Sequence, residues 1–225
     1  MIKKTLVTGA LALLTLISTV FSASAAGPGL PAGAPVNAST AITAEEAASL
    51  QFMREEEKLA HDVYVALAEA WGLRVFGNIA QAEQQHSNAT AYWLDYYKLD
   101  DPAEGNAPGK FMNADLQALY DNLVAQGKRS VADALKVGAA IEEIDIRDLD
   151  AALSESSNPA LTQLYGNLKA GSENHLRAFA SNLRTQTGET YAPQYLSQAA
   201  YDEMVGGASQ GNRSGRYGGR NGRRP

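Results

Sequence analysis

The sequence contains no cysteine, and this absence excludes several kinds of chemistry. Disulfides, thiolate nucleophiles, iron–sulfur clusters and cysteine-ligated zinc all require that residue. Histidine is scarce as well, with three copies in 225 residues. A domain without disulfides must be held by its core or by a bound metal, and a content of 45% hydrophobic residues is enough for one core.

Residues 1–25 have the pattern of a secretory signal peptide. Lys3 and Lys4 precede an apolar run over residues 5–21, and Ala-Ser-Ala at 23–25 is a small-residue cleavage site. No twin arginine precedes the apolar run and no cysteine lies at the cleavage point, so we expect export of the unfolded chain without a lipid anchor. The predicted location is periplasmic or extracellular, with no transmembrane anchor after cleavage.

Acidic and basic residues are separated along the chain. All 25 acidic residues, but only 12 of the 19 basic ones, lie between Glu45 and Glu203, which gives this region a formal charge of −13. An acidic body favours cations as ligands and disfavours nucleic acid. Residues 206–225 are rich in Arg and Gly, which predicts a disordered tail that either contacts an anionic surface or is only solubilising. Residues 26–42 predict a flexible linker, so the folded domain is expected at 43–205.

The folded region predicts an all-α domain, because it shows no strand pattern and several helix boundaries. Thr43 and Glu46 have the spacing of a capping box, Gly72 stops the first helix, and Asn158-Pro159 opens the last long one. The predicted helices cover about 43–71, 75–98, 114–126, 130–153 and 158–185, and a short amphipathic segment covers 196–205.

The lengths of the links between these helices predict a topology. Links of a few residues after the first and fourth helices make two antiparallel hairpins. Roughly thirty residues, including the short third helix, separate the hairpins, and a link of that length can run along the whole bundle. The sequence therefore predicts a four-helix bundle with one long crossover.

Carboxylate and imidazole side chains interrupt the apolar stripes of the long helices. Glu83 and His86 lie three residues apart in a largely aromatic and aliphatic stripe of the second helix. Burial of such groups is costly unless they have partners, and a divalent cation between helices would supply one. Glu57 and His175 lie in comparable stripes of the first and last long helices, at similar distances from the interhelix turns.

The fourth helix offers several candidates. Glu142 and Asp145 share its core-facing stripe, while Glu143 lies about 100° around the helix, on a polar side. A competing apolar stripe through Val137 and Ile141 leaves this choice open. The predicted metal ligands are Glu57, Glu83, His86, Glu142 and His175, with Asp145 and Glu143 as alternatives.

Each of these residues also has an interpretation without metal. A Glu-x-x-His spacing is common by chance, residues 55–58 (Glu-Glu-Glu-Lys) can form a solvated face, and His61 is expected at the surface or beside a ligand. Metal binding is favoured because two of the three histidines fall in core-facing stripes, with acids on the other helices. These donor atoms suit iron(II), manganese or zinc, whereas calcium would not select histidine.

Several blocks of sequence carry a family resemblance: EEEKLAHDVY at 55–64, FGNIA at 76–80, EQQH at 83–86, VGA at 137–139, IEE at 141–143, DI at 145–146, GS at 171–172 and NHLRAF at 174–179. Together they resemble the ferritin-like domain-of-unknown-function family 2202, over about residues 48–184. Glu57, Ala60 and Tyr64 are more remotely similar to the first ligand motif of rubrerythrin. The resemblance implies a ferritin-like four-helix fold and a dinuclear iron centre.

One position departs from the ferritin-like pattern. Such proteins usually carry Glu-x-x-His on the last long helix too, but Ser172 stands three residues before His175. Either Asp145 or Glu142 compensates, or the site holds a single metal or binds weakly. Rubrerythrin-type peroxidases also usually draw electrons from a cysteine-ligated iron domain, which this sequence cannot form.

Two functions remain as expectations, because a fold does not fix a function. The first is an exported iron-dependent oxidoreductase, ferroxidase-like or peroxidase-like, whose iron(II) reacts with dioxygen or peroxide. The second is a non-catalytic interaction or structural module with a degenerate or single-metal site. Iron is the expected cofactor, dinuclear or mononuclear, with manganese or zinc as alternatives.

Overall fold

The computed structural model describes residues 41–207. The predicted signal peptide, and nearly all of the predicted linker and tail, lie outside this range. Within it the protein is all-α, as predicted, with six helices and no strand: α1 (Ala44–Trp71), α2 (Arg74–Tyr97), α3 (Ala114–Gly127), α4 (Val131–Glu155), α5 (Pro159–Thr187) and α6 (Gln198–Gly207). No helix in the described range is both long and apolar enough to cross a lipid bilayer.

The helix ends follow the capping residues that the sequence predicts. Thr43 and Glu46 form both hydrogen bonds of a capping box, and Asn158 caps α5, with proline as the first helical residue. Gly72 ends α1 in the left-handed conformation, with φ of 64°, which most side chains disfavour. The predicted bounds of the four long helices are correct to within two residues.

The four long helices form a bundle made of two hairpins. α1 packs along α2 and α4 along α5, and the hairpins meet through α1 against α4 and α2 against α5. The buried apolar side chains form two clusters, one around Tyr64 and Phe179 and the other around Met53 and Trp93. A layer of buried polar residues lies between these clusters, at the middle of the bundle.

The long link between α2 and α4 runs beside α1. Its course is marked by Arg54 with Asp101, Asp62 with the N–H of Gly109, and the Trp71 indole N–H with the carbonyl of Gly127. The partners on α1 advance from Arg54 to Trp71 as the link advances, so the link runs along this part of α1 to its end. It brings α4 to the end of the bundle where α2 begins, which confirms the predicted crossover.

A buried carboxylate holds the opposite end of the bundle together. Oε1 of Glu46 accepts the N–H groups of Ser157 and Asn158, at 3.0 and 2.9 Å, and the hydroxyl of Ser156 at 3.0 Å. These bonds join the start of α1 to the link between α4 and α5. Burial alone would raise the pKa of Glu46, but the hydrogen bonds hold it below its ordinary value of 4.5.

Replacing Glu46 with glutamine tests this junction. Because the pKa of Glu46 is lowered by folding, its ionised form stabilises the protein above the ordinary pKa, and this stabilisation is lost as the pH falls below it. We expect E46Q to lower the free energy of unfolding by roughly 1–3 kcal/mol at pH 7, and by less near pH 3.5. Urea unfolding at the two pH values measures the difference. The exposed neighbour Glu45 provides the control E45Q, and equal effects of the two variants would contradict the assignment.

Candidate metal centre

Five of the predicted ligands meet at the middle of the bundle. Glu57 lies on α1, Glu83 and His86 on α2, Glu142 on α4 and His175 on α5. In the described residues, two groups of three have ligand atoms within 4.8 Å of one another: a first group of Glu57, Glu83 and His86, and a second group of Glu83, Glu142 and His175. Glu83 belongs to both groups, so two candidate metal positions lie side by side.

The two oxygens of Glu83 lie against different imidazoles. Oε2 is 2.8 Å from Nδ1 of His86, and Oε1 is 2.7 Å from Nδ1 of His175. Glu57 and Glu142 complete the groups, at 3.3 Å from His86 and 3.6 Å from His175. The two imidazole rings are stacked, with centroids 5.6 Å apart. The arrangement is therefore nearly symmetric about Glu83.

Several atoms of this cluster have no hydrogen-bond partner. Both Nδ1 atoms, Oε1 of Glu83 and Oε1 of Glu57 are buried and unpartnered among the described residues. The N···O distances are short, but neither Nδ1 of His86 nor Nδ1 of His175 forms a hydrogen bond in the described residues. Such groups are costly in a bare protein, whereas a metal ion accepts several of them at once. Three carboxylates and two imidazoles fit iron, manganese or zinc.

Protonation is unevenly distributed in the cluster. Burial alone would lower the pKa values of His86 and His175, but the neighbouring carboxylates raise them to about 11 and about 10. Burial alone would raise the pKa of Glu83, but the two imidazoles lower it to about 2. Burial raises the pKa values of Glu57 and Glu142 to about 8. A cation that binds here therefore displaces protons, so acid competes with metal.

Tyr64 orients Glu142. Its hydroxyl donates to Oε1 of Glu142 over 2.6 Å, and its ring is fully buried. The hydrogen bond leaves Oε2 of Glu142 to face His175. The Tyr64 ring packs on Phe179 at a centroid distance of 5.1 Å. Gly138 makes this packing fit, because a Cβ at that position would lie 2.6 Å from the Phe179 ring.

Ser172 holds Asp145 at the edge of the centre. Its hydroxyl donates from α5 to Oδ2 of Asp145 on α4, while Oδ1 of Asp145 has no partner among the described residues. Burial, followed by the charge of Glu57, raises the pKa of Asp145 well above its ordinary value. Asp145 therefore lies beside the first group without being one of its three members.

The alternative ligand Glu143 and the third histidine, His61, lie outside the centre. Glu143 is fully buried, because α4 is covered on nearly all sides, so the expected polar face is wrong. Its Oε2 accepts the backbone N–H groups of residues 194–196 and anchors the segment before α6. Nδ1 of His61 lies 2.9 Å from Oδ1 of Asp62, and His61 belongs to neither group.

The acidic run at the middle of α1 is buried rather than solvated. Glu55, Glu56 and Glu57 are all buried, because α1 packs against α2, α4 and the region of the long link and α3. Glu55 accepts the backbone N–H groups of Met112 and Asn113. Neither oxygen of Glu56 has a hydrogen-bond partner among the described residues. Sequence reasoning missed Glu56 because it assigned only one stripe of α1 to the core.

Gly171 on α5 allows His86 to approach closely. A Cβ at position 171 would lie 2.5 Å from Cε1 and 2.7 Å from Nε2 of His86. The Nε2 edge of the ring therefore faces the α5 backbone, and the Nδ1 edge faces the carboxylates. The only signal in the sequence is a glycine inside a helix, which lowers helix propensity and so requires a local reason.

The fold and the site together define a helical-bundle protein with a buried cluster of carboxylates and imidazoles. The chain belongs to the family described as uncharacterized protein domain (DUF2202), whose family model matches residues 46–208. It is similar to the uncharacterized protein MJ0754 of Methanocaldococcus jannaschii, with 43% identity over 169 residues, which cover 75% of this chain and 91% of the relative. It is also similar to the crystal structure of hypothetical protein MJ0754 from Methanococcus jannaschii, with a TM-score of 0.72, 41% identity, and coverage of 81% of this chain and 98% of that one.

Replacing Gly171 with alanine tests the close approach of His86. The added methyl group would displace the imidazole, so we expect G171A to weaken metal binding by about 10–100-fold, as for other changes that disturb the orientation of a ligand. Competition with a chromophoric zinc chelator measures the affinity. Gly166, on the same helix, provides the control, because a Cβ there meets no atom within 4 Å. G166A should bind normally and gain up to about 1 kcal/mol in stability; normal binding by G171A would contradict the role of Gly171.

Proposed function

We propose that the chain is an exported metal-binding protein that holds two transition-metal ions side by side and oxidises iron(II) with dioxygen or peroxide. Iron is the proposed metal, and manganese and zinc are the alternatives. The proposal is supported by the types of donor atom, by their burial and by the sharing of one carboxylate between two groups.

The placement of Glu83 is the observation that carries this proposal. A carboxylate with one oxygen at each of two imidazoles could offer a ligand atom to each of two cations, as carboxylates do in two-metal sites. A single cation would use only one of the two groups. The histidine and the terminal carboxylate of the other group would then remain buried, and some of their polar atoms would have no partner.

The protein residues would bind and orient the ions. Each group offers one terminal carboxylate, one imidazole and a share of Glu83. Three protein ligands leave coordination positions open, and reaction with a small oxidant requires open positions. Tyr64 fixes the carboxylate of Glu142, and Gly171 gives His86 the space that its orientation needs.

The surroundings suit a small oxidant. Two bound iron(II) ions would supply one electron each, and two electrons with two protons convert a peroxide into two waters. The two apolar clusters exclude water from both ends of the centre. The imidazoles of His86 and His175 are its least buried members, with side chains 17% and 12% exposed, so a small molecule would reach the centre past them.

A non-catalytic module is the second candidate, and one observation favours it. In the absence of metal, an ionised Glu83 between two protonated imidazoles is itself an ionic link between α2 and α5. Ser172 also stands three residues before His175, where the ferritin-like pattern has a glutamate, so α5 offers no second carboxylate to the two groups. The two candidates differ in metal content and in reaction with oxidants.

Metal content distinguishes these candidates. We expect elemental analysis of protein purified without a tag, followed by iron(II) titration without air, to give about two equivalents per chain, one for each group. E83Q keeps the side-chain volume but removes the shared charge, so it should lose most binding of both ions. E57Q should lose most binding at the first group only. The exposed Glu69 on α1 provides the control E69Q, which should bind as the wild type does.

Two results would contradict parts of the proposal. Only trace metal in the wild type, with no change in E83Q, would eliminate the metal centre and leave the structural module. Normal metal content without consumption of dioxygen or peroxide by the iron-loaded protein would eliminate the oxidation step. Thermal unfolding of the metal-free variants shows whether each one is folded.

A further inference from the structure

A cavity of about 470 Å³ opens on the surface between the second half of α5 and residues 190–205, which include the first part of α6. Its volume lies in the range of pockets that bind small organic molecules. None of the residues that line it belongs to either group of the candidate metal centre. A ligand held in this α5–α6 cavity would therefore bind apart from the metal ions.

Part of the lining of the α5–α6 cavity is apolar and aromatic. Ala180 and Val205 contribute aliphatic surface, and Tyr191 and Tyr201 contribute two rings with centroids 5.8 Å apart. The two tyrosines are only 4% and 6% exposed and belong to the apolar cluster around Phe179, so packing fixes their positions. A ligand that covered this lining would remove apolar area from water. The lining therefore favours a ligand with an apolar body.

Two arginines of α5 give the cavity its charge. Arg177 and Arg184 are seven residues apart, about two helix turns, which places them on the same side of α5. The guanidinium of Arg177 donates to the carbonyl of Met204 over 2.9 Å and to the amide oxygen of Asn174 over 2.5 Å, and both acceptors are uncharged. The side chain of Arg184 forms no hydrogen bond or ion pair within residues 41–207. In that range, neither positive charge is paired with a carboxylate.

The acidic residues next to the lining have other partners. Glu189 forms an ion pair with Lys136 at 2.6 Å. Oε2 of Glu143 accepts the backbone N–H groups of residues 194–196. Asp202 accepts a side-chain amide of its own helix and does not line the cavity. The domain is acidic as a whole, but the α5–α6 cavity has a local positive charge, which attracts anions.

The outer wall of the cavity is held in place without a ligand. Glu143 anchors residues 194–196 to α4, and the hydrogen bond from Arg177 to Met204 joins α5 to α6. A cavity with fixed walls needs little ordering when a ligand binds, and such preorganisation favours affinity.

We propose that the α5–α6 cavity binds a small organic carboxylate with an apolar body. Arg184 receives the carboxylate, because its guanidinium is unpaired and its planar N–H groups match the two oxygens. Arg177 adds positive charge, and the rings of Tyr191 and Tyr201 contact the apolar body. The chain beyond residue 207 does not suit this cavity, because it carries five arginines and no acidic side chain. The inference goes beyond the proposed function and does not depend on it.

Binding of cinnamate, an aromatic carboxylate, tests this proposal. Cinnamyl alcohol is a neutral probe of similar shape, and inorganic phosphate is an anion without an apolar body. We expect isothermal titration calorimetry to give cinnamate a Kd below about 1 mM, at least about tenfold lower than the Kd of either other probe. Amide NMR spectra should place the changes caused by cinnamate around residues 177–184 and 190–205.

A matched pair of variants tests the role of Arg184. R184M keeps much of the side-chain length but removes the charge, so we expect it to weaken cinnamate binding by at least about tenfold and to leave cinnamyl alcohol unaffected. Arg129 is also exposed and lies outside the cavity, so R129M should bind as the wild type does. Both positions are exposed, and thermal unfolding shows that both variants are folded.

Four results would overturn the proposal. The first is a wild type that does not bind cinnamate, and the second is one that binds cinnamyl alcohol or phosphate as tightly as cinnamate. The third is a set of NMR changes that lies away from the cavity. The fourth is an equal loss of affinity in R184M and R129M, because cinnamate would then respond only to the net charge of the protein. The metal content of the protein decides none of these results.

Discussion

The middle of this bundle depends on the position of one carboxylate. Glu83 projects from α2 between two imidazoles. One of its oxygens lies beside His86 on the same helix and the other beside His175 on α5, so this carboxylate connects the two hairpins. The other features of the layer follow from this placement. Gly171 leaves space for one imidazole, and Tyr64 turns Glu142 towards the other. The layer is therefore organised around a shared carboxylate rather than around apolar contact.

The rest of the molecule compensates for the free-energy cost of burying this polar layer. Apolar clusters on both sides, capped helix ends and the Glu46 junction supply the stability that a polar middle does not. The buried acids divide into two kinds. Glu46 and Glu55 accept backbone N–H groups and hold segments in place, whereas Glu56 and Glu57 retain unpartnered oxygens. Local departures of this kind from favourable burial are expected at functional sites.

The sequence predicts the fold more completely than the site. Capping residues such as Thr43 and Asn158, and the contrast between short and long links, are local signals that determine the helix bounds and the crossover. Glu83 and His86 were found because α2 buries mainly one face. The same reasoning was wrong for Glu143, because α4 is covered on nearly all sides. The hydrogen bond between Ser172 and Asp145 and the space at Gly171 both depend on how two helices pack together. The periodicity of a single helix carries no information about that packing.

The division of the two carboxylate–imidazole groups between the hairpins has a consequence for assembly. All members of the first group come from α1 and α2, which a link of two residues joins, so this group needs only local contacts. The second group needs Glu142 and His175 to reach Glu83 across the bundle, after the long link has settled along α1. Contacts between residues so distant in the sequence are slow to form. The first group is therefore expected to assemble before the second hairpin docks on the first.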